Sequence, residues 1–248
     1  MGLRCVISVN SLGLPLFTPI YMIPIDYSLG FDVLAQTFES YAKTLVPVDT
    51  GYLQSTITGT SQGMSAVCAT HCSYAEYVEY GTIYMAPQSY FEPALKTAIF
   101  AAVPHWRDAV EQALAQERML EEMELAAEEA VATAEFKGQE REAEINFDRA
   151  KYHRERAIYY DRIGMADTTP YYMRQQYFDM SAEHQHQAGA FAWNGVMILG
   201  MAIMALFQAI ANIIMMSAFY EGMEDMFINM FYETIADMIM SASTVEII

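Results

Sequence analysis

The chain has 248 residues, enough for one large domain or two smaller ones, and 54% of them are apolar, so it can bury a sizeable core. Its formal charge of −18 argues against direct binding of a phosphate backbone, which needs clustered Lys and Arg. Three cysteines (Cys5, Cys68 and Cys72) are too few and too odd in number for a disulfide scaffold and point to a reducing assembly compartment, while 19 methionines suggest adaptable apolar packing.

Residues 1–25 carry a single charge, Arg4, around an apolar middle. Asn10, Ser11, Gly13, Pro15, Pro19 and Pro24 interrupt that stretch, so residues 1–30 read as an extended arm or irregular strand rather than a signal peptide. Phe31, Leu34, Phe38, Tyr41, Ala42 and Leu45 then recur at helical spacing, which predicts a helix over 31–45 stopped by Pro47. In Pro47-Val-Asp-Thr-Gly-Tyr-Leu53, Asp49 and Thr50 can bond nearby backbone and Gly51 tolerates φ > 0, so a tight corner is expected. Residues 52–58 and 65–72 read as the strands of a hairpin, with Gly59 and Gly63 bracketing its turn. A short helix over 73–80 follows, with Ser73 as N-cap and Gly81 as its stop. Residues 83–91 read as extended. Pro93 sits in the first turn of a helix expected to pause at Pro104.

From 106 to 163 the pattern is a charged, alanine-rich helix with Gly138 as its one obvious break. Arg107 with Glu111 and Arg118 with Glu122 are spaced to pair, whereas Glu117 with Glu121 and Glu124 with Glu128 are spaced to repel. Residues 165–170 form a linker and 171–187 another helix. The composition then changes: residues 187–220 contain no Asp, Glu, Lys or Arg. Residues 190–207 rise roughly 27 Å as a helix, close to the thickness of a bilayer's hydrocarbon core. Trp193 and Gly200 belong to this segment, and Gly195, Ala202 and Ala209 recur every seven residues, which suits close helix–helix approach. Arg154, Arg156, Arg162 and Arg174 precede it and only acids follow it. Two readings stay open: a candidate transmembrane helix over 188–219, or a helix buried in the core of an oligomer. Residues 221–240 are apolar, made amphipathic by Glu224, Asp225, Glu233 and Asp237, and read as a second helix folding back. The expected fold class is α+β: a small helix-plus-antiparallel-sheet domain followed by a long all-helical C-terminal extension. The division is a 1–30 arm, a 31–104 α+β domain, a 105–187 charged helical region and a 188–248 hydrophobic module.

Catalytic patterns are not found. Cys68-Ala-Thr-His-Cys72 places its cysteines about 13 Å apart along a strand, too far for one zinc. Glu183-His-Gln-His186 holds a Glu-x-x-His pair without the second one that a di-iron bundle needs. Glu76 and Glu79, one helical turn apart, read as a solvated face or an ion pair between subunits. The sequence shows no phosphate loop, no nucleophile elbow and no zinc-protease motif. No catalytic residue, metal or cofactor is expected.

Three segments together carry a resemblance: Pro47-Val-Asp-Thr-Gly-Tyr-Leu-Gln-Ser-Thr-Ile57, Tyr74-Ala-Glu-Tyr-Val-Glu-Tyr-Gly-Thr82 and Ala86-Pro-Gln-Ser-Tyr-Phe-Glu-Pro-Ala-Leu95. In order and spacing they resemble the head–tail joining, or tail-completion, family of long-tailed bacteriophages, over roughly residues 25–103. The resemblance implies a structural virion protein of the neck that forms a homo-oligomeric ring around the DNA path. Its partners would be other neck and tail proteins, and DNA would pass nearby without specific binding. It implies structural roles for Pro47, Asp49, Thr50, Gly51 and Leu53 at the corner. Tyr74, Glu79, Gly81 and Thr82 would hold the short helix and its exit, and Pro87, Phe91 and Pro93 the entry to the closing helix. The family domain ends near Pro104, so the extension would contact neighbours, line a lumen or touch a host membrane.

Overall fold

The computed structural model describes the backbone of residues 2–241 and the side chains of residues 2–237. It is α+β at the N-terminal end and entirely helical beyond it, as the sequence predicts. The chain divides into two compact units: residues 1–121 together with 219–248, and residues 122–218. Met1 and residues 242–248, which belong to the expected arm and hydrophobic module, lie outside the described residues.

In the first unit, strand β1 (Leu3–Ser8) belongs to the arm and runs into a one-turn helix α1 (Val9–Leu12). Helix α2 (Ser28–Leu45) buries Phe31, Leu34, Phe38 and Ala42 of the predicted face together with Ala35, whereas Tyr41 and Leu45 of that face are exposed. It ends where Val46 turns extended before Pro47, as a residue preceding proline must. A short helix α3 (Tyr52–Thr56) leads into β2 (Ile57–Ser61), and β3 (Ser65–Thr70) pairs antiparallel with both β2 and β1. The sheet order is β1-β3-β2. Alternate residues of β1, Leu3, Cys5 and Ile7, point into the core.

Two expectations fail here for local reasons. Residues 52–56 form a helical turn and not the start of a strand. Gly51 takes φ 78 at its start, and the Ser55 and Thr56 hydroxyls donate back to the Tyr52 and Leu53 carbonyls, at 2.7 and 2.8 Å. Those side-chain bonds overrule the strand preference of Tyr and Thr. Gly59 lies inside β2, not at the turn, which is made around Gly63 at φ 57. A Cβ at Gly59 would stand 2.0 Å from the Ala35 carbonyl oxygen, so glycine is what lets α2 lie against the sheet. Glu39 fastens the contact by accepting the Gly59 N–H at 3.1 Å while pairing with Lys43 at 2.5 Å.

After α4 (Ala75–Tyr80), the chain enters two long helices, α5 (Phe91–Met165) and α6 (Tyr171–Ser241), joined by residues 166–170 as predicted. The pause at Pro104 does not occur. Pro104 sits on the exposed side of α5, so the unpaired Phe100 carbonyl can be hydrated, while buried Ala102 and Trp106 hold this turn on the core. Gly138 is likewise passed without a break. Nor does a second helix fold back at 221, because nothing in that stretch punctuates the helix and α6 runs through it. The divisions expected at 104 and 187 therefore fall inside single helices. In the first unit, Phe227, Phe231 and Ile235 of α6 join the core with Leu95, Ile99, Trp106 and Val110 of α5.

Candidate functional site

Motifs two and three meet through one carboxylate. Glu79, 1% exposed near the end of α4, accepts the backbone N–H groups of Tyr90 and Phe91 at 2.8 Å each and of Glu92 at 3.0 Å. These are free N–H groups at the start of α5, and the next residue, Pro93, has none to satisfy. A buried anion at a helix N-terminus also meets the positive end of the helix dipole. The Glu79 carbonyl takes the Ser89 hydroxyl at 3.0 Å, and the Val78 carbonyl takes the Gln88 N–H at 2.9 Å. Gly81 has φ 76 and ψ −179, and a Cβ there would strike the Met85 carbonyl at 2.7 Å and the Pro87 nitrogen at 2.7 Å. Thr82 and Met85 exchange backbone bonds of 2.8 and 3.3 Å, and the loop they close presents Ile83 and Tyr84, 90% and 93% exposed. Phe91 is fully buried and meets Phe38 of α2 edge-on at 4.8 Å.

Motif one joins them. Gln54 donates to the Lys43 carbonyl at 2.7 Å, capping the end of α2, and Leu53 is buried beneath the corner. Tyr74 stands beside the corner, and its neighbour Cys72 holds its phenol above the usual range. The result is a cleft of about 330 Å³ lined by Pro47, Val48, Asp49, Thr50, Gly51, Leu53 and Gln54 of motif one, Tyr74 and Val78 of motif two, and Met85 and Gln88. Its wall is neutral apart from Asp49. Among the described residues no group of three or more His, Cys, Asp or Glu converges as metal ligands would. Cys68 and Cys72 are buried while His71 between them is exposed. Burial pushes the Cys5 thiol up to about 11 and the Cys68 thiol higher still, which keeps both protonated and unreactive.

The second unit pairs the later part of α5 with the earlier part of α6. Ala143, Ala150 and Ala157 of α5 are buried at seven-residue spacing, as are Ser181, Ala188, Gly195 and Ala202 of α6. Ser181 donates to the Ala157 carbonyl at 3.1 Å, and a Cβ at Gly195 would come 2.8 Å from the Phe147 ring. Ala209 lies beside Ala132. The predicted small-residue stripe is thus used against this chain's own α5. Gly200 is off the stripe and exposed, and Trp193 is 65% exposed. Of the most apolar 18-residue window of α6, only 6% is buried.

Alongside that window α5 carries nine exposed charged residues between Glu135 and Lys151. A charged side chain at the bilayer centre costs at least about 2.5 kcal/mol, and less toward either interface, so this face of α5 disfavours acyl chains.

The sequence leaves three features of these units unannounced. Glu117, 2% exposed, accepts the Ile20 and Tyr21 N–H groups at 2.8 and 2.7 Å and ties the arm to α5. Arg118 bonds to Glu224 of α6, with Nε–Oε2 at 2.8 Å, and not to Glu122. His184 meets His153 Nδ1 to Nδ1 at 2.8 Å, with Phe191 stacked on one ring and Tyr160 on the other, while Glu183, Gln185 and His186 are exposed. All three are contacts across 31 or more residues of sequence, which local periodicity does not encode. Compared with protein-family models, curated proteins and solved structures, the chain finds no match.

Proposed function

We propose that this chain is a non-enzymatic structural protein of a phage virion, placed at the head–tail joint and assembling as a ring around the DNA path. The observation that carries this reading is the interlock of the three motifs. Glu79 of the second holds the helix start of the third, and both abut the corner of the first, so residues that resemble the neck family are spent on architecture. The cleft they form has no nucleophile–base pair, and its neutral wall suits a neighbour's side chains more than a reaction. The charge of −18 suits a conduit, because a negative wall repels phosphates and lets a duplex slide. Sedimentation of the purified full-length protein tests it. A single closed oligomer is expected; a monomer across the accessible concentration range contradicts it.

A second reading is favoured by one observation, the bare apolar surface of α6: a membrane-active virion protein that engages a host membrane through residues 188–219 during assembly or DNA ejection. Full-length protein that stays soluble as a ring without detergent would remove this second reading and leave the first.

A further inference from the structure

We infer that several copies of the 122–218 hairpin build a two-faced wall in a lipid bilayer, with α6 against acyl chains and α5 facing an aqueous passage. The inference rests on the membrane-active reading and deepens it by assigning each helix a side. With Ser181, Ala188, Gly195 and Ala202 turned to α5, seven-residue spacing puts Trp193, Phe207 and Ile214 on the row of α6 farthest from its partner. They are 65%, 67% and 65% exposed. The flanking row holds Val196, Ile203 and Ile210, also exposed. A soluble helical hairpin keeps these rows polar; here they are apolar over the length of a bilayer, with every base of the chain before them and only acids after.

On α5 the equivalent outermost row is Arg141, Asp148 and Glu155, all exposed and all charged. A layer with one apolar and one ionic surface belongs at a boundary between lipid and water. Because the ionic surface must stay wet, more than one hairpin is required. The adjoining row of α5, Ile145, Tyr152 and Tyr159, lies as far from α6 and is about half exposed, and it supplies a contact for neighbours. If instead α6 faced an aqueous lumen, its outermost row would be left uncovered in water. Lipid covers that row and leaves the charged row hydrated.

The experiment uses full-length protein reconstituted into phosphatidylcholine–phosphatidylglycerol vesicles loaded with a self-quenched dye. Flotation, dye release and labelling of single cysteines by a membrane-impermeant maleimide are read together. The native Cys5, Cys68 and Cys72 are buried and give a low background. The inference predicts flotation with dye release, rapid labelling of Asp148→Cys and labelling of Phe207→Cys that is slower by severalfold. Phe207→Asp, a surface change checked for folding by circular dichroism, should abolish both flotation and release. Flotation without release, or with Asp148→Cys protected, overturns the two-faced wall and leaves the membrane reading standing. Absence of flotation, with a detergent-free soluble oligomer, overturns both and assigns the α6 surface to other copies of the chain.

Discussion

At Glu79 a single carboxylate does the work of a capping box from another helix: it takes three N–H groups that α5 cannot satisfy itself. Glutamine there would turn an amide N–H₂ toward those donors and remove the charge that meets the helix dipole. Glu79→Gln should cost about 3 kcal/mol, read from the urea midpoint. An unchanged midpoint would show that water replaces the side chain. Two other carboxylates act on stability with opposite signs. Glu39 is held below the usual range by its hydrogen bond from Lys43 and then by the Gly59 N–H. Its contribution is present above the unfolded value near 4.5 and is lost as pH falls through the lower folded value. Glu121 is pushed up, first by desolvation and then by Glu117 and Glu224. Its charge therefore opposes folding above the folded value, and that penalty fades as pH falls toward 4.5. Glu39→Gln should lower the melting temperature at pH 7 and Glu121→Gln should raise it slightly, since solvent screens both groups. Both differences should shrink by pH 4, and a gap that persists there would assign the effect to packing.

Elements were legible in the sequence where one periodicity governs and illegible where a distant partner does. Phe31, Leu34 and Phe38 declare the buried face of α2, and Pro47 declares its end. The same rules misread residues 52–56, whose side-chain hydroxyls favour a turn, and Gly59, whose meaning depends on a helix twenty-four residues earlier in the chain coming within reach. Pro104 and Gly138 looked like breaks because a sequence does not show which side of a helix is held by a core. In the site, the three motifs were visible as segments. Their meeting point was not, because the carboxylate and the helix start it caps lie 11 to 13 residues apart along a folded path. Gly59→Ala is the sharpest check at this scale. It forces α2 from the sheet or bends the strand, at a cost of about 1–3 kcal/mol, or more if neither yields. A crystal structure of the variant should show α2 displaced at Ala35. An unmoved helix would mean that the close approach is not what glycine serves.

As a whole molecule the chain joins an α+β unit that carries the three motifs to an acidic and apolar hairpin. The first unit explains the resemblance, and the second explains the abrupt loss of charge after residue 187. In the second unit alanine, glycine and serine make the closest contact between the helices, with Phe147, Tyr160 and Phe191 beside them, while Trp193, Phe207 and Ile214 face outward. Both proposals cover that surface, one with other copies of the chain and one with lipid. Electron-microscope imaging of the purified full-length protein, particle by particle in detergent and without it, bears most directly on the central claim. Closed rings of one symmetry, with a central opening wide enough for a DNA duplex, are expected. Open filaments, or isolated single chains at every concentration, would contradict it.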